Sequence, residues 1–101
     1  MTQTVFLEVQ FRDDVDHDTI ASAVRETLAQ TAGFPGNESL EVLVDDADAH
    51  RAVVLERWTT AADHDAYVAW RATPEGAANA LAQVLAGPPV TRTFERTLDL
   101  S

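Results

Sequence analysis

The sequence predicts an α+β fold with the element order β-α-β-β-α-β. Three observations carry this prediction. Four short runs show strand-like patterning, two stretches with helical apolar spacing separate the first run from the second and the third from the fourth, and only Asp46–His50 joins the two middle runs. A connection that short and polar suits a hairpin.

The first strand is read over Gln3–Phe11. Val5, Leu7, Val9 and Phe11 share one face, Thr4, Glu8 and Gln10 the other, and Phe6 is the apolar exception on the polar face. A helix follows with Asp16 as its N-cap, flanked by Val15 and Ile20 as a hydrophobic staple. Ile20, Val24 and Leu28 form its buried stripe, and Gly33 and Pro35 end it. Glu38–Asp45 is the second strand, with Leu40, Val42 and Val44 on one face; Arg51–Trp58 is the third. Thr60 stands three residues before Asp63, the spacing of an N-cap, so the next helix runs from Ala61 to about Arg71. Thr73-Pro74 restarts the chain as cap and first helical residue of a stretch Pro74–Ala86, which Gly87-Pro88-Pro89 closes. Val90–Leu98 is the last strand, with Val90, Phe94 and Leu98 on one face. This order is the ferredoxin-like one: a four-stranded antiparallel sheet with helices on one face, in a single domain over residues 1–101.

Composition narrows the function. The net charge is −10, and all seven basic residues are arginine. Such a surface repels nucleic-acid phosphates and anionic membranes, so neither is an expected partner. Without cysteine there is no disulfide, thiolate nucleophile or Cys-held metal. His17, His50 and His64 have no paired ligand spacing, and with four glycines there is neither a dinucleotide fingerprint nor a phosphate loop. No metal or organic cofactor is therefore expected. No apolar run approaches the roughly 20 residues of a membrane span, and the first residues lack the features of a signal peptide, so the expected location is cytoplasmic.

The bare sheet face raises a separate expectation. Phe6, Leu43, and either Val53 with Leu55 or Ala52 with Val54 must point away from the helices, because neighbours along a strand alternate. An apolar patch of that kind calls for a partner, and a homodimer that stacks two sheets supplies one.

Arg51–Gly76 is the most informative stretch. A strand ends on Trp58 and runs into a helix on which His64, Tyr67, Val68 and Arg71 share a face. Such a set could line a pocket for a small aromatic ligand; the same aromatics would also serve an ordinary core. Glu56 alternates with Trp58 and is read either as a buried general base or as one half of a salt bridge to Arg92 or Arg96.

The segment LERWTTAADHDAYVAWRATPEG, with the element order and chain length, resembles the antibiotic biosynthesis monooxygenase-like family of the dimeric α/β-barrel superfamily. The resemblance implies a homodimer and, in the cofactor-independent members, oxidation of an electron-rich phenol or quinol. The deprotonated substrate itself reduces dioxygen, while the protein supplies a dry pocket and hydrogen bonds. On that reading Trp58 is the aromatic wall, Tyr67 and His64 handle protons, and Arg71 stabilises a phenolate. Heme-degrading relatives use an Asn on the first strand and a His further along the helix. Here the first strand begins Gln3-Thr4-Val5-Phe6, and His64 comes too early. The other class of function open to this sequence is a non-catalytic dimeric ligand-binding or accessory protein. An isomerase or cyclase on the same fold is a third.

Overall fold

The computed structural model describes residues 2–100. Strand β1 spans Gln3–Gln10, helix α1 His17–Ala32, β2 Asn37–Val44, β3 Arg51–Trp58, α2 Ala61–Arg71, α3 Asn79–Val84 and β4 Val90–Phe94. The sheet order is β2-β3-β1-β4, with β1 antiparallel to β3 and β4, and β2 antiparallel to β3. This is the ferredoxin-like arrangement the alternation predicts.

Register settles which residues face the helices. Val5 lies opposite Glu56 and Val9 opposite Ala52, and all four are buried. Phe6 lies opposite Leu55, and Glu8 opposite Val53, on the bare face. Of the two pairs open to the sequence, Val53 with Leu55 is therefore the one that points away from the helices. Phe6, Leu43, Val90 and Phe94 are exposed there, and the Phe6 and Phe94 rings meet edge to face at 5.3 Å.

Two of the three predicted N-caps form. Asp16 Oδ1 accepts from the Thr19 amide at 2.7 Å, and Thr60 Oγ1 from the Asp63 amide at 3.1 Å. Two boundaries differ from the sequence reading by more than a residue or two. The helical restart at Pro74 does not occur. The Thr73 hydroxyl donates to the Trp70 carbonyl and accepts from the Gly76 amide, which folds the segment back onto the end of α2. Gly76 sits so close that a Cβ there would lie 2.0 Å from the Trp70 carbonyl oxygen; the helix resumes only at Asn79. The last strand stops at Phe94, because its partner in register is Thr4 and β1 begins one residue before that.

The interior divides in two. Under α1 and α3, Val9, Phe11, Ile20, Ala23, Ala52, Leu81 and Val84 form a largely aliphatic cluster. Under α2, Val5, Trp58 and Tyr67 pack with Phe34 and Trp70. The loop between α1 and β2 places Phe34 in this second cluster. It turns at Gly36, whose φ of +91° favours glycine. A Cβ there would lie 2.4 Å from the Cβ of Asp63. The loop thus seats directly on the first turn of α2, held by the Thr59 amide donating to the Gly36 carbonyl at 2.8 Å.

Candidate functional site

Trp58, His64, Tyr67 and Arg71 do come together. Trp58 is the last residue of β3 and fully buried. Its ring centroid is 4.9 Å from that of Tyr67 and 5.5 Å from that of His64. His64 lies in the first turn of α2, yet it is only 7% exposed, since this turn faces the sheet. Val68, assigned by spacing to the same helix face, is 51% exposed and lies outside the cluster. Phe34 stands edge-on to both Trp58 and Tyr67. Nothing in the local sequence marks it, because Gly33-Phe34-Pro35-Gly36 reads only as a helix stop.

Glu56 has its own environment. It points under the helices and is 4% exposed, whereas Arg92 lies opposite Phe6 on the bare face. The sequence-level salt bridge from Glu56 to Arg92 is therefore ruled out by sheet parity. Its partner is the Trp58 indole, whose Nε1–H donates to Glu56 Oε1 at 2.9 Å. Burial pushes the carboxyl above its ordinary range, while the indole hydrogen bond and the charge of Arg71 pull it back. Burial pushes His64 the other way, below the usual imidazole range, against the opposing pull of Asp65. A carboxyl biased toward its acid form and an imidazole biased toward its neutral form thus flank one indole. Those are the states that donate and accept a proton.

Arg71 is held by five hydrogen bonds. Its Nε–H donates to Tyr67 Oη at 2.7 Å. Its other nitrogens donate to Gln30 Oε1, the Gly76 carbonyl, the Thr27 carbonyl and Thr31 Oγ1. The guanidinium also lies over the Trp70 ring, 4.9 Å from its centroid. Tyr67 Oη also shares a hydrogen bond of 2.8 Å with Thr31 Oγ1, and the Thr31 hydroxyl lies 3.4 Å from the Thr27 carbonyl. The hydrogen-bond chain runs from α2 into α1, and Arg71 joins the two helices. Thr27 and Thr31, both buried, are the residues on α1 that sequence reasoning missed.

Two further polar groups stand beside Trp58. Gln3 on β1 and Asn37 on β2 are its partners in register on either side. Gln3 Oε1 and Asn37 Nδ2 are buried without a hydrogen-bond partner. Each unmet group costs about 1–3 kcal/mol unless something else satisfies it.

The described concavities lie elsewhere. A groove of about 600 Å³ on the bare face is floored by Leu43, Val53 and Val90. A second hollow, about 430 Å³, adjoins Phe6, Arg57 and Phe94. A void of about 10 Å³ between α1, α3 and the sheet is lined only by apolar side chains such as Leu28, Val54 and Leu81. None of these three is lined by Trp58, His64, Tyr67 or Arg71. Among the described residues, no group of three or more His, Asp or Glu is placed to hold a metal ion, and no helix is long and apolar enough to cross a membrane.

The family model described as antibiotic biosynthesis monooxygenase matches residues 3–78. No protein of curated function matches the chain. Solved structures share its fold. SnoaB, a cofactor-independent oxygenase from Streptomyces nogalater, is 22% identical with a TM-score of 0.76, over 98% of this chain and 96% of its own. Rv0793 from Mycobacterium tuberculosis is 16% identical with a TM-score of 0.75, over all of both chains. A conserved protein from Methanosarcina mazei Go1 is 11% identical with a TM-score of 0.78, over 96% of this chain and 94% of its own.

Proposed function

The chain belongs to the antibiotic biosynthesis monooxygenase family, and on that premise we propose that it is a cofactor-independent monooxygenase of a small phenolic or quinol-like aromatic, working as a homodimer of one-domain chains. The observation that carries this reading is the buried set around Trp58. Aromatic rings, a carboxyl raised by burial and an imidazole lowered by it occupy one dry volume. A phenol oxidised by dioxygen must first lose its proton, and a dry aromatic site beside a proton acceptor favours that step. Trp58 serves as the flat wall, His64 as the acceptor, and Arg71 as the charge that favours the phenolate, with Tyr67 held in place by Arg71. The homodimer forms through the bare sheet face, where Phe6, Leu43 and Phe94 are exposed.

The test is oxygen consumption by the purified protein across a panel of dihydroxyaromatics and hydroxynaphthoquinones, with Trp58→Phe and Arg71→Met as variants. Turnover falls roughly tenfold to a thousandfold in Arg71→Met, and its pH optimum moves upward, as loss of one electrostatic contact requires. No oxygen uptake with any member of the panel would remove the catalytic reading.

A second reading has its own support. Tyr67 is 9% exposed and Trp58 fully buried, and the Arg71 guanidinium is taken up by protein acceptors. A closed cluster of that kind suits a binding or accessory protein of the same fold. Quenching of tryptophan fluorescence by hydroxynaphthoquinones in a Trp70→Phe background, without oxygen uptake, would favour it.

A further inference from the structure

Buried polar atoms in a folded chain nearly always find a partner, so the exceptions call for a reason. Among the described residues three buried side-chain atoms lack one, and two of them, Gln3 Oε1 and Asn37 Nδ2, flank the same tryptophan. Gln3 pairs in register with Trp58 from β1, and Asn37 from β2. Gln3 is only 5% exposed. Strands β1 and β2 lie on either side of β3, so the two side chains rise from backbones about 10 Å apart. Side chains stand roughly perpendicular to a sheet, which keeps the two amides separate. A single water bonded to both would need them within about 6 Å of each other. A planar ring with oxygen on two opposite edges bridges the wider gap. The space beside Trp58 is filled from within by Phe34, which is half-buried and carried on a loop. Its ring centroid lies 6.2 Å from that of Trp58, 5.3 Å from Tyr67 and 5.5 Å from Trp70. One phenyl group thus occupies the middle of three aromatic walls, on a turn that ends at Asn37, whose backbone amide donates to the Phe34 carbonyl at 3.1 Å.

Resting on the aromatic-substrate reading above, we propose that the Phe34 ring holds the place of the substrate ring, and that Gln3 and Asn37 are the residues that select the substrate. When Phe34 rotates outward, a planar aromatic takes its position against Trp58. One of its oxygens accepts from Asn37 Nδ2, and a hydroxyl on the opposite edge donates to Gln3 Oε1. A hydroxyl can play either part, whereas a carbonyl only accepts. The selected class is therefore an aromatic with a hydroxyl on one edge and a hydroxyl or carbonyl on the other. In the empty protein the two unmet amides reduce stability, and this ligand restores what they lose. A ring lacking one of the groups leaves an amide buried and unmet, which is how a polar site rejects an analogue of the same shape.

The test is calorimetric titration under argon, where nothing turns over, with naphthohydroquinone and α-naphthol as probes. Wild type binds the diol about tenfold more tightly than the naphthol, which leaves one amide unmet. Gln3→Met and Asn37→Leu keep side-chain size, and each weakens diol binding about tenfold. Each also raises the melting temperature of the ligand-free protein by roughly 4 °C, because an unmet polar atom is gone. Amides that hold the fold together would lower that temperature instead. Phe34→Leu leaves a smaller cover to displace and tightens diol binding roughly threefold. Amide variants that melt below wild type, or that bind both probes as wild type does, overturn the subsite, and so does a wild-type chain that binds neither probe. Weakened diol binding in the variants, with no oxygen uptake by wild type in air, keeps the subsite and removes the monooxygenase reading. Oxygen uptake that ignores both amide substitutions does the reverse.

Discussion

The two halves of the interior meet the same requirement, covering one sheet face, with opposite materials. Beneath α1 and α3 the cover is mainly aliphatic, with Val9, Ile20, Leu81 and Val84 meeting by shape alone. Beneath α2 it is aromatic, and it buries Glu56, His64 and Thr31 as well. The aliphatic half needs only volume. The aromatic half must also place its polar atoms, and it pairs some of them through a small number of bonds, indole to Glu56 and Arg71 to Tyr67 to Thr31, while Gln3 Oε1 and Asn37 Nδ2 stay unpartnered. A substitution in the aromatic half therefore loses packing and leaves a neighbour unpartnered, whereas one in the aliphatic half loses packing alone. Groups this costly to bury are what support the site proposed around Trp58.

The comparison can be broken most easily with one truncation in each half. Trp58→Ala should destabilise by about 3–5 kcal/mol through lost packing, with a further loss from the orphaned Glu56 carboxyl. Leu81→Ala should cost about 2–5 kcal/mol, because only packing is lost and no polar partner is orphaned. Equal costs in urea denaturation would show that the polar bonds of the aromatic half contribute nothing net. Next in size, Arg71→Met should cost about 2 kcal/mol, in line with losing hydrogen bonds from a charged donor. A stability unchanged from wild type would show that these bonds contribute nothing net.

The pH dependence sharpens the contrast, and its sign differs between the two titrating groups. The Glu56 carboxyl is raised in the folded state, so the unfolded chain releases that proton first. Its contribution is fully present below 4.5 and is lost as pH climbs through the folded-state value. Glu56→Gln should therefore gain stability relative to wild type as pH rises through that window, and a constant difference between the two proteins would contradict the burial argument. His64 is lowered in the folded state. Its contribution is present above 6.5 and fades as pH falls through the folded-state value. His64→Asn should soften the loss of stability on acidification below 6.5, the smallest of these effects, seen in thermal melts at matched ionic strength.

Most of the architecture was readable because alternation and cap spacing are local. Asp16 and Thr60 identify their helix starts from a few residues each, and the strand pattern fixes which side of β1 is buried. The register of β3 was not readable, because Arg51–Trp58 carries apolar residues at both parities, and only pairing with β1 decides between Val53 and Val54. Of the site, the α2 residues and Trp58 were visible, since one helix and one strand end carry them. Thr27 and Thr31 were not, although they continue the spacing of Ile20 and Ala23 along α1. Hydroxyl residues do not register as core until a partner such as Tyr67 appears across the helix interface. Phe34 was hidden for another reason: its place depends on the turn at Gly36, which spacing cannot foresee.

The hydrogen-bond chain from Arg71 through Tyr67 to Thr31 also makes the protein observable. The sequence contains one tyrosine, so a phenolic hydroxyl signal in a magnetic-resonance spectrum is already assigned. The hydroxyl is buried in a hydrogen bond to Thr31 on the other helix, so its hydrogen exchanges with water only when α1 and α2 part. Its exchange rate is therefore a clock for the opening of the aromatic half. Any molecule that enters beside Trp58 changes the rate of that clock, whether or not it is ever turned over.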